Sequence, residues 1–214
     1  MKMTLILASA LAFAALAAPA AVAQECDPTY TVCSYEYEGS FGDCITRPTY
    51  EYCYAYSYAE RGMSAWLFVA QLRAGEREDA QSATFTGSDD CRSAQADGQY
   101  AESERFVAFY SLLAGGDIAV GTFDYAGSFE IEDSCEGWQY AEEGVAQGDY
   151  ARGSFFTPVA DIYAGATAGS YEGEWTMNSD GDVECFRFAN AYVHVYGDKT
   201  VGNTGVEAFR STDC

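Results

Sequence analysis

Oxygen-bearing side chains fall on alternate positions in Asn178-Ser-Asp-Gly-Asp-Val-Glu184, giving Asn178, Asp180, Asp182 and Glu184 the spacing of a hard-cation loop. Calcium is the ion such a set of carboxylates and amides suits. Asp89-Asp90 and the trio Glu130, Glu132 and Asp133 occupy comparable places elsewhere in the chain. The glycine stands at the fourth position of the loop, not at the sixth as in an EF-hand. Asp, Asn and Gly are also what tight turns use, because their side chains bond the local backbone or tolerate positive φ. The stretch therefore reads either as calcium ligands or as plain turn chemistry.

Tyr50, Tyr52, Tyr54, Tyr56 and Tyr58 fall on every second position. In a strand that spacing puts five rings on one face, with Glu51, Cys53, Ala55 and Ser57 on the other. Exposed, the rings form a flat platform for stacking on sugars; buried, they are core.

Nucleophilic catalysis finds little support. His194 is the single histidine, and it alternates with apolar residues as a strand side chain does. The glycine-framed serine, the zinc-protease helix motif, the phosphate-binding loop and the dinucleotide-binding glycines are all missing. A glycosidase-like carboxylate pair is the one catalytic arrangement so acidic a chain could supply, and no pair stands out.

The elements that must position these residues come from repetition. Tyr37-Glu-Gly-Ser-Phe41, Tyr125-Ala-Gly-Ser-Phe129 and Tyr171-Glu-Gly-Glu-Trp175 each lead into an acidic stretch and a cysteine. Thr84-Phe-Thr-Gly-Ser88 is a thinner copy, and the closing cysteines Cys44, Cys91, Cys135 and Cys185 lie 47, 44 and 50 residues apart. Cys53-x4-Tyr58-Ala-Glu also matches Cys135-x4-Tyr140-Ala-Glu. These are tandem units with insertions at the turns. The fold expected is mainly β: an antiparallel β sandwich or barrel-like sheet of degenerate hairpin repeats of roughly 45 residues, held by disulfides. The alternative is α+β, with short helices near 64–74, 103–114 and 157–164. Phe106, Phe109, Tyr110 and Leu113 fit helical spacing behind Ser103, and Thr157-Pro158 could open a helix. Tyr35–Phe41 and Tyr50–Tyr58 are expected to pair across a turn holding Gly42, Asp43 and Pro48. Phe186–Tyr196 is expected to pair with Val201–Phe209.

The Tyr-x-Gly-x-Trp/Phe stretches resemble the opening of a MORN repeat, although the spacing here is about double and cysteines intervene. The resemblance implies hairpins stacked into an elongated sheet, and no function is carried over from it.

Residues 1–23 read as a secretory signal peptide: Lys2, an apolar run from Leu5 to Ala18, and Ala21-Val-Ala23 before the cleavage point. Residues 24–214 then form a single β-rich domain with no later run that could cross a bilayer as a helix. Eight cysteines follow the leader: Cys26, Cys33, Cys44, Cys53, Cys91, Cys135, Cys185 and Cys214. An even count behind a leader predicts disulfides in a secreted or periplasmic protein. Cys44–Cys53, Cys26–Cys33 and Cys185–Cys214 are the pairings the spacing suggests, the rest staying open. The net charge of −22 speaks against nucleic acid, since no basic stripe is available for phosphates. The function expected is an exported binding or structural protein of the cell envelope or extracellular space, with a glycan or another envelope protein as partner and no cofactor beyond calcium. The alternatives are a secreted polysaccharide-acting hydrolase and a calcium-dependent adhesive or matrix protein.

Overall fold

A computed structural model describes residues 32–198 and 202–214. The leader, Cys26 and the remaining residues lie outside it. Nine strands follow one another as a meander: β1 (Val32–Arg47), β2 (Tyr50–Leu67), β3 (Ala70–Ser88), β4 (Arg92–Tyr110), β5 (Gly115–Asp133), β6 (Trp138–Thr157), β7 (Ile162–Ser179), β8 (Asp182–Gly197) and β9 (Thr204–Asp213). Each is hydrogen-bonded antiparallel to the next, in the order β1 to β9. The barrel-like sheet of hairpin repeats is thus present as one open layer, in which β1 and β9 are not neighbours and, among the described residues, no second sheet forms.

The registers run without a slip, so one side-chain face can be followed across the whole sheet. Strands of 16 to 20 residues, β9 excepted, are far longer than usual. At about 3.3 Å per residue the longest span roughly 60 Å.

The two faces differ in kind. One carries nearly all the rings: Tyr35, the Tyr50–Tyr58 ladder, Phe106, Phe123, Tyr150, Tyr171, Trp175, Phe188 and Tyr192. Every side chain buried below a tenth of its surface lies here, including Tyr35, Phe106, Ala108 and Ala119. This is the aromatic face. The other face is built mostly of Ala, Ser, Thr, Val and carboxylates, and it is largely exposed. On the aromatic face glycines lie opposite rings: Tyr58 covers Gly39, Tyr150 covers Gly121, Trp175 covers Gly144 and Phe188 covers Gly173. A ring laid over a bare cross-strand glycine buries apolar area that a single-layer sheet has no other layer to bury.

The two ends also differ. The odd-numbered turns hold Pro48-Thr49, Asp89–Cys91, Ser134–Gly137 and Asp180-Gly181, all at one end. Asp180 and Gly181 have φ of 53° and 91°, the two-residue turn that Asp-Gly favours. Asp89 Oδ1 accepts from the backbone N–H groups of Cys91 and Arg92, and Asp133 Oδ1 from those of Cys135 and Glu136. Cys44–Cys53, Cys91–Cys135 and Cys185–Cys214 are bonded at this end. The first and last are the pairings read from spacing. Cys33 is also disulfide-bonded.

Two expectations are corrected. Residues 64–74, 103–114 and 157–164 are strand and turn, with no helix, because long-range pairing on both sides outweighs the local helical spacing. Tyr35–Phe41 and Tyr50–Tyr58 do pair, but β1 runs on through Gly42 and Asp43, and the turn is Pro48-Thr49. Among the described residues no helix is long and apolar enough to cross a membrane.

Candidate functional site

The register line Gly42–Ala55–Ser82–Gln99–Ala126–Val145–Glu174–Arg187–Thr212 crosses all nine strands on the small-residue face. The parallel line Ser40–Ser57–Ala80–Ala101–Asp124–Gln147–Glu172–Ala189–Arg210 lies two residues away along each strand. Together they line a trough of about 1600 Å³. Its floor over β1–β5 is mostly Gly, Ala and Ser, with Gln99 and Asp124 the longer polar side chains among them. Toward β6–β9 the lining turns polar. Gln147 Nε2 donates to Glu172 Oε1 at 3.2 Å, and Arg187 Nε donates to Glu174 Oε2 at 2.7 Å. Eight interstrand steps of about 4.8 Å make the trough roughly 38 Å long. Its amides, carboxylates and guanidinium groups offer both donors and acceptors along that length.

The tyrosine ladder lies on the opposite face. Its rings pack on one another and on neighbours: Tyr56 and Tyr58 stack at 6.0 Å, Tyr50 stacks on Phe85 at 6.1 Å, and Phe41 lies 5.1 Å from Tyr56. Tyr50 and Tyr52 keep 40% and 37% of their surface exposed, while Tyr54, Tyr56 and Tyr58 are half-buried. The Tyr56 hydroxyl donates to Asp79 at 2.8 Å. Burial, then that hydrogen bond and charge, push its pKa up to about 12.

Beside the ladder runs a charged cluster that residue spacing does not show, because its members are 13 to 48 positions apart. Glu60 accepts from Arg73 and Arg77. Glu104, only 3% exposed, accepts from Arg77 at 2.9 Å, Arg152 at 2.8 Å and the Tyr150 hydroxyl at 2.8 Å. Arg73 lies 4.7 Å over the Tyr35 ring and Arg77 lies 5.3 Å over Phe106. Burial raises the Glu104 pKa, but the hydrogen bonds from Arg152 and Tyr150 and the two positive charges outweigh it and leave it lowered. Every charge here has a partner, and the cluster ties β2, β3, β4 and β6 together.

Asn178, Asp180, Asp182 and Glu184 are not brought to one point. Asn178 is on the small-residue face, Asp182 and Glu184 are on the aromatic face, and Asp180 is in the turn. Asn178 Oδ1 accepts from Gly181 N–H at 3.0 Å, and Asp180 Oδ1 accepts from Gln139 N–H at 2.8 Å. Among the described residues two groups have metal-like spacing, Cys44/Glu51/Cys53 and Glu174/Cys185/Cys214. In each, both cysteines are already joined in a disulfide and offer no thiolate. His194 Nε2 sits 2.9 Å from Glu207.

The trough was legible only in part. The small residues alternating with the tyrosines of β2 mark its floor there, but the alignment of nine such stretches needs the registers. No protein-family model, no curated protein and no solved structure matches the chain.

Proposed function

We propose that this chain is an exported binding module of the cell envelope or extracellular space, and that its ligand is an elongated, hydroxyl-rich chain of the glycan class. The observation that carries the reading is the trough, a continuous hollow across nine strands with small side chains beneath and paired polar groups along it. An open trough of that length suits a polymer better than a compact metabolite, which binds in enclosed clefts. The leader-like residues 1–23 and the disulfides support export. Binding is preferred to hydrolysis because two of the three carboxylates lining the trough, Glu172 and Glu174, are engaged by Gln147 and Arg187, which leaves Asp124 without a second free carboxylate to work with.

The test fills the trough. Ser57→Trp with Ala101→Trp places two indoles on its floor, on an exposed face where the fold tolerates them. On a panel of soluble polysaccharides the native chain is expected to bind at least one, and the double variant at least tenfold more weakly with unchanged circular dichroism. No binding to any polysaccharide, or equal binding by the variant, defeats the reading. Release of reducing ends would install the hydrolase in its place, and binding abolished by EDTA the calcium-dependent adhesive.

A further inference from the structure

Three of the four connections at the end opposite the acidic turns are apolar at their tips, the fourth, β8–β9, showing Asp198, Gly202 and Asn203. The β2–β3 turn presents Phe68 and Val69, the β4–β5 connection Leu112 and Leu113, and the β6–β7 connection Pro158 and Val159. Phe68 is 75% exposed, Leu112 73% and Val159 73%. Hairpin tips are ordinarily polar, built from Gly, Asn, Asp and Ser, as the tips at the other end of this sheet are. The apolar character continues down the small-residue face. Met63, Leu72, Val107 and Ile118 are all at least half exposed. From the register line Ser34–Met63–Ala74–Val107–Ile118–Gly153–Ala166–Val195–Thr204 out to the strand ends, no described side chain on that face is charged. The charged strand residues at this end, Arg73, Asp117 and Arg152, lie on the aromatic face and are ion-paired, while Asp161 and Asp198 lie in connections. Trp66, Tyr110 and Tyr163 stand behind the tips on the aromatic face.

We propose that this end docks on a phospholipid bilayer of uncharged headgroup, with the three tips inserted side by side. Tips on alternate hairpins are two strands apart, so the row from Phe68 to Val159 is about 20 Å long. It is a keel at the sheet's end, its leading side chains about three-quarters exposed. Large exposed apolar patches mark contacts with other phases or partners, and two features favour a bilayer. Aromatic residues with one polar atom sit at the level where a headgroup region would meet them. The charge is divided to match: a net −22 on the chain, with the acidic turns and three disulfides at the far end. A chain of that charge, with no free basic cluster among the described residues at the docking end, is repelled by anionic lipid, which selects a zwitterionic surface.

The test uses the chain exported with its own leader, its N-terminus read by mass spectrometry to confirm cleavage. It is incubated with phosphatidylcholine vesicles and floated on a density gradient. The native chain is expected to float with the vesicles in low and in high salt. Phe68→Ser, Leu112→Ser and Val159→Ser are each expected to weaken partitioning about tenfold, since each withdraws one bulky apolar side chain from the lipid. The triple variant should stay at the bottom with unchanged circular dichroism. A native chain that does not float, or a triple variant that floats equally well, overturns the proposal. A native dimer that the triple variant splits, without flotation, assigns the keel to a second copy and overturns it too. The Ser57→Trp/Ala101→Trp variant should float like the native chain, so loss of glycan binding and loss of lipid binding are read separately.

Discussion

The Trp175 indole on β7 lies directly over Gly144 on β6, so close that a methyl group at position 144 would collide with its six-membered ring at Cε3. The ring and the missing side chain form one packing unit, repeated at Gly39–Tyr58, Gly121–Tyr150 and Gly173–Phe188. Gly144→Ala is therefore expected to displace the indole and to cost about 2 kcal/mol, as overpacking does. The tryptophan emission should shift to the red. Gly98, on the same face of β4, has open space where its Cβ would stand. Gly98→Ala should be neutral or stabilise by up to about 1 kcal/mol through the unfolded chain. Urea melts of the two variants decide the matter, and equal midpoints would show that the rings do not depend on their glycines.

That pairing also explains which parts of the sequence were readable. Strict alternation survives where the faces differ sharply, as in Tyr50–Tyr58 and Phe186–Tyr196, and both were legible as strands. Alternation fades near the apolar tips, because there both faces carry apolar side chains. Phe106 and Tyr110 are on the aromatic face, Phe109 is on the other, and Leu113 is in the connection, so together they imitate helical spacing. The disulfides follow the same logic. Cys44 and Cys53 face each other across one hairpin and were readable from spacing. Cys91 and Cys135 join two separate turns 44 residues apart, and only the meander shows them to be neighbours. The alignment of small residues that makes the trough, and the sorting of turns into an acidic and an apolar end, are likewise properties of strand order.

Glu104 should be the most sensitive charge in the molecule. It is almost fully buried and accepts from Arg77, Arg152 and Tyr150, so Glu104→Ala leaves two guanidinium groups short of a partner. The expected loss is about 3 kcal/mol, or roughly 6–12 °C in Tm for a chain of this size. Glu76, by contrast, pairs with Arg61 and Arg105 at the surface, and Glu76→Ala should cost less than about 1 kcal/mol. The Glu104 pKa is lowered in the folded state, so its contribution is complete above the ordinary glutamate range and lost as pH falls through the folded-state value. Asp133 is lowered in the same sense, chiefly by its hydrogen bond from Arg92. Acid unfolding should set in below about pH 4. An unaltered acid limb in Glu104→Ala would remove Glu104 as its cause.

The disulfides should rank by the loop each closes. Cys91–Cys135 spans 44 residues and Cys44–Cys53 spans 9. The loop-entropy relation gives about 4 kcal/mol for the first and about 2.6 kcal/mol for the second. Cys91→Ser/Cys135→Ser should therefore melt below Cys44→Ser/Cys53→Ser. It should also free the β3–β4 and β5–β6 turns to exchange their amide hydrogens sooner, since the bond joins those turns directly. The reverse order of melting would mean that the unfolded chain is not the state these bonds act on.

At high pH the tyrosines take over from the carboxylates. Tyr56 is pushed up to about 12 by burial and by its bond to Asp79. Tyr100 and Tyr150 are raised as well, by burial first and then by their bonds to Glu102 and, for Tyr150, Glu104. A phenol whose folded pKa lies above its unfolded value stabilises fully below about pH 10, and that contribution is lost as pH rises through the folded value. Alkaline unfolding should accordingly begin above about pH 10, with a late group of phenols that ionise only as the sheet opens. In Tyr56→Phe the hydrogen bond to Asp79 is gone, and stability near neutrality should fall by about 1 kcal/mol. The gap between variant and native should then narrow through the Tyr56 titration near pH 12, because the native chain loses there what the variant never had. Paired phenolate absorbance and circular dichroism titrations measure both quantities. A gap that stays constant up to that pH would show that the Tyr56 hydroxyl contributes nothing through its ionisation.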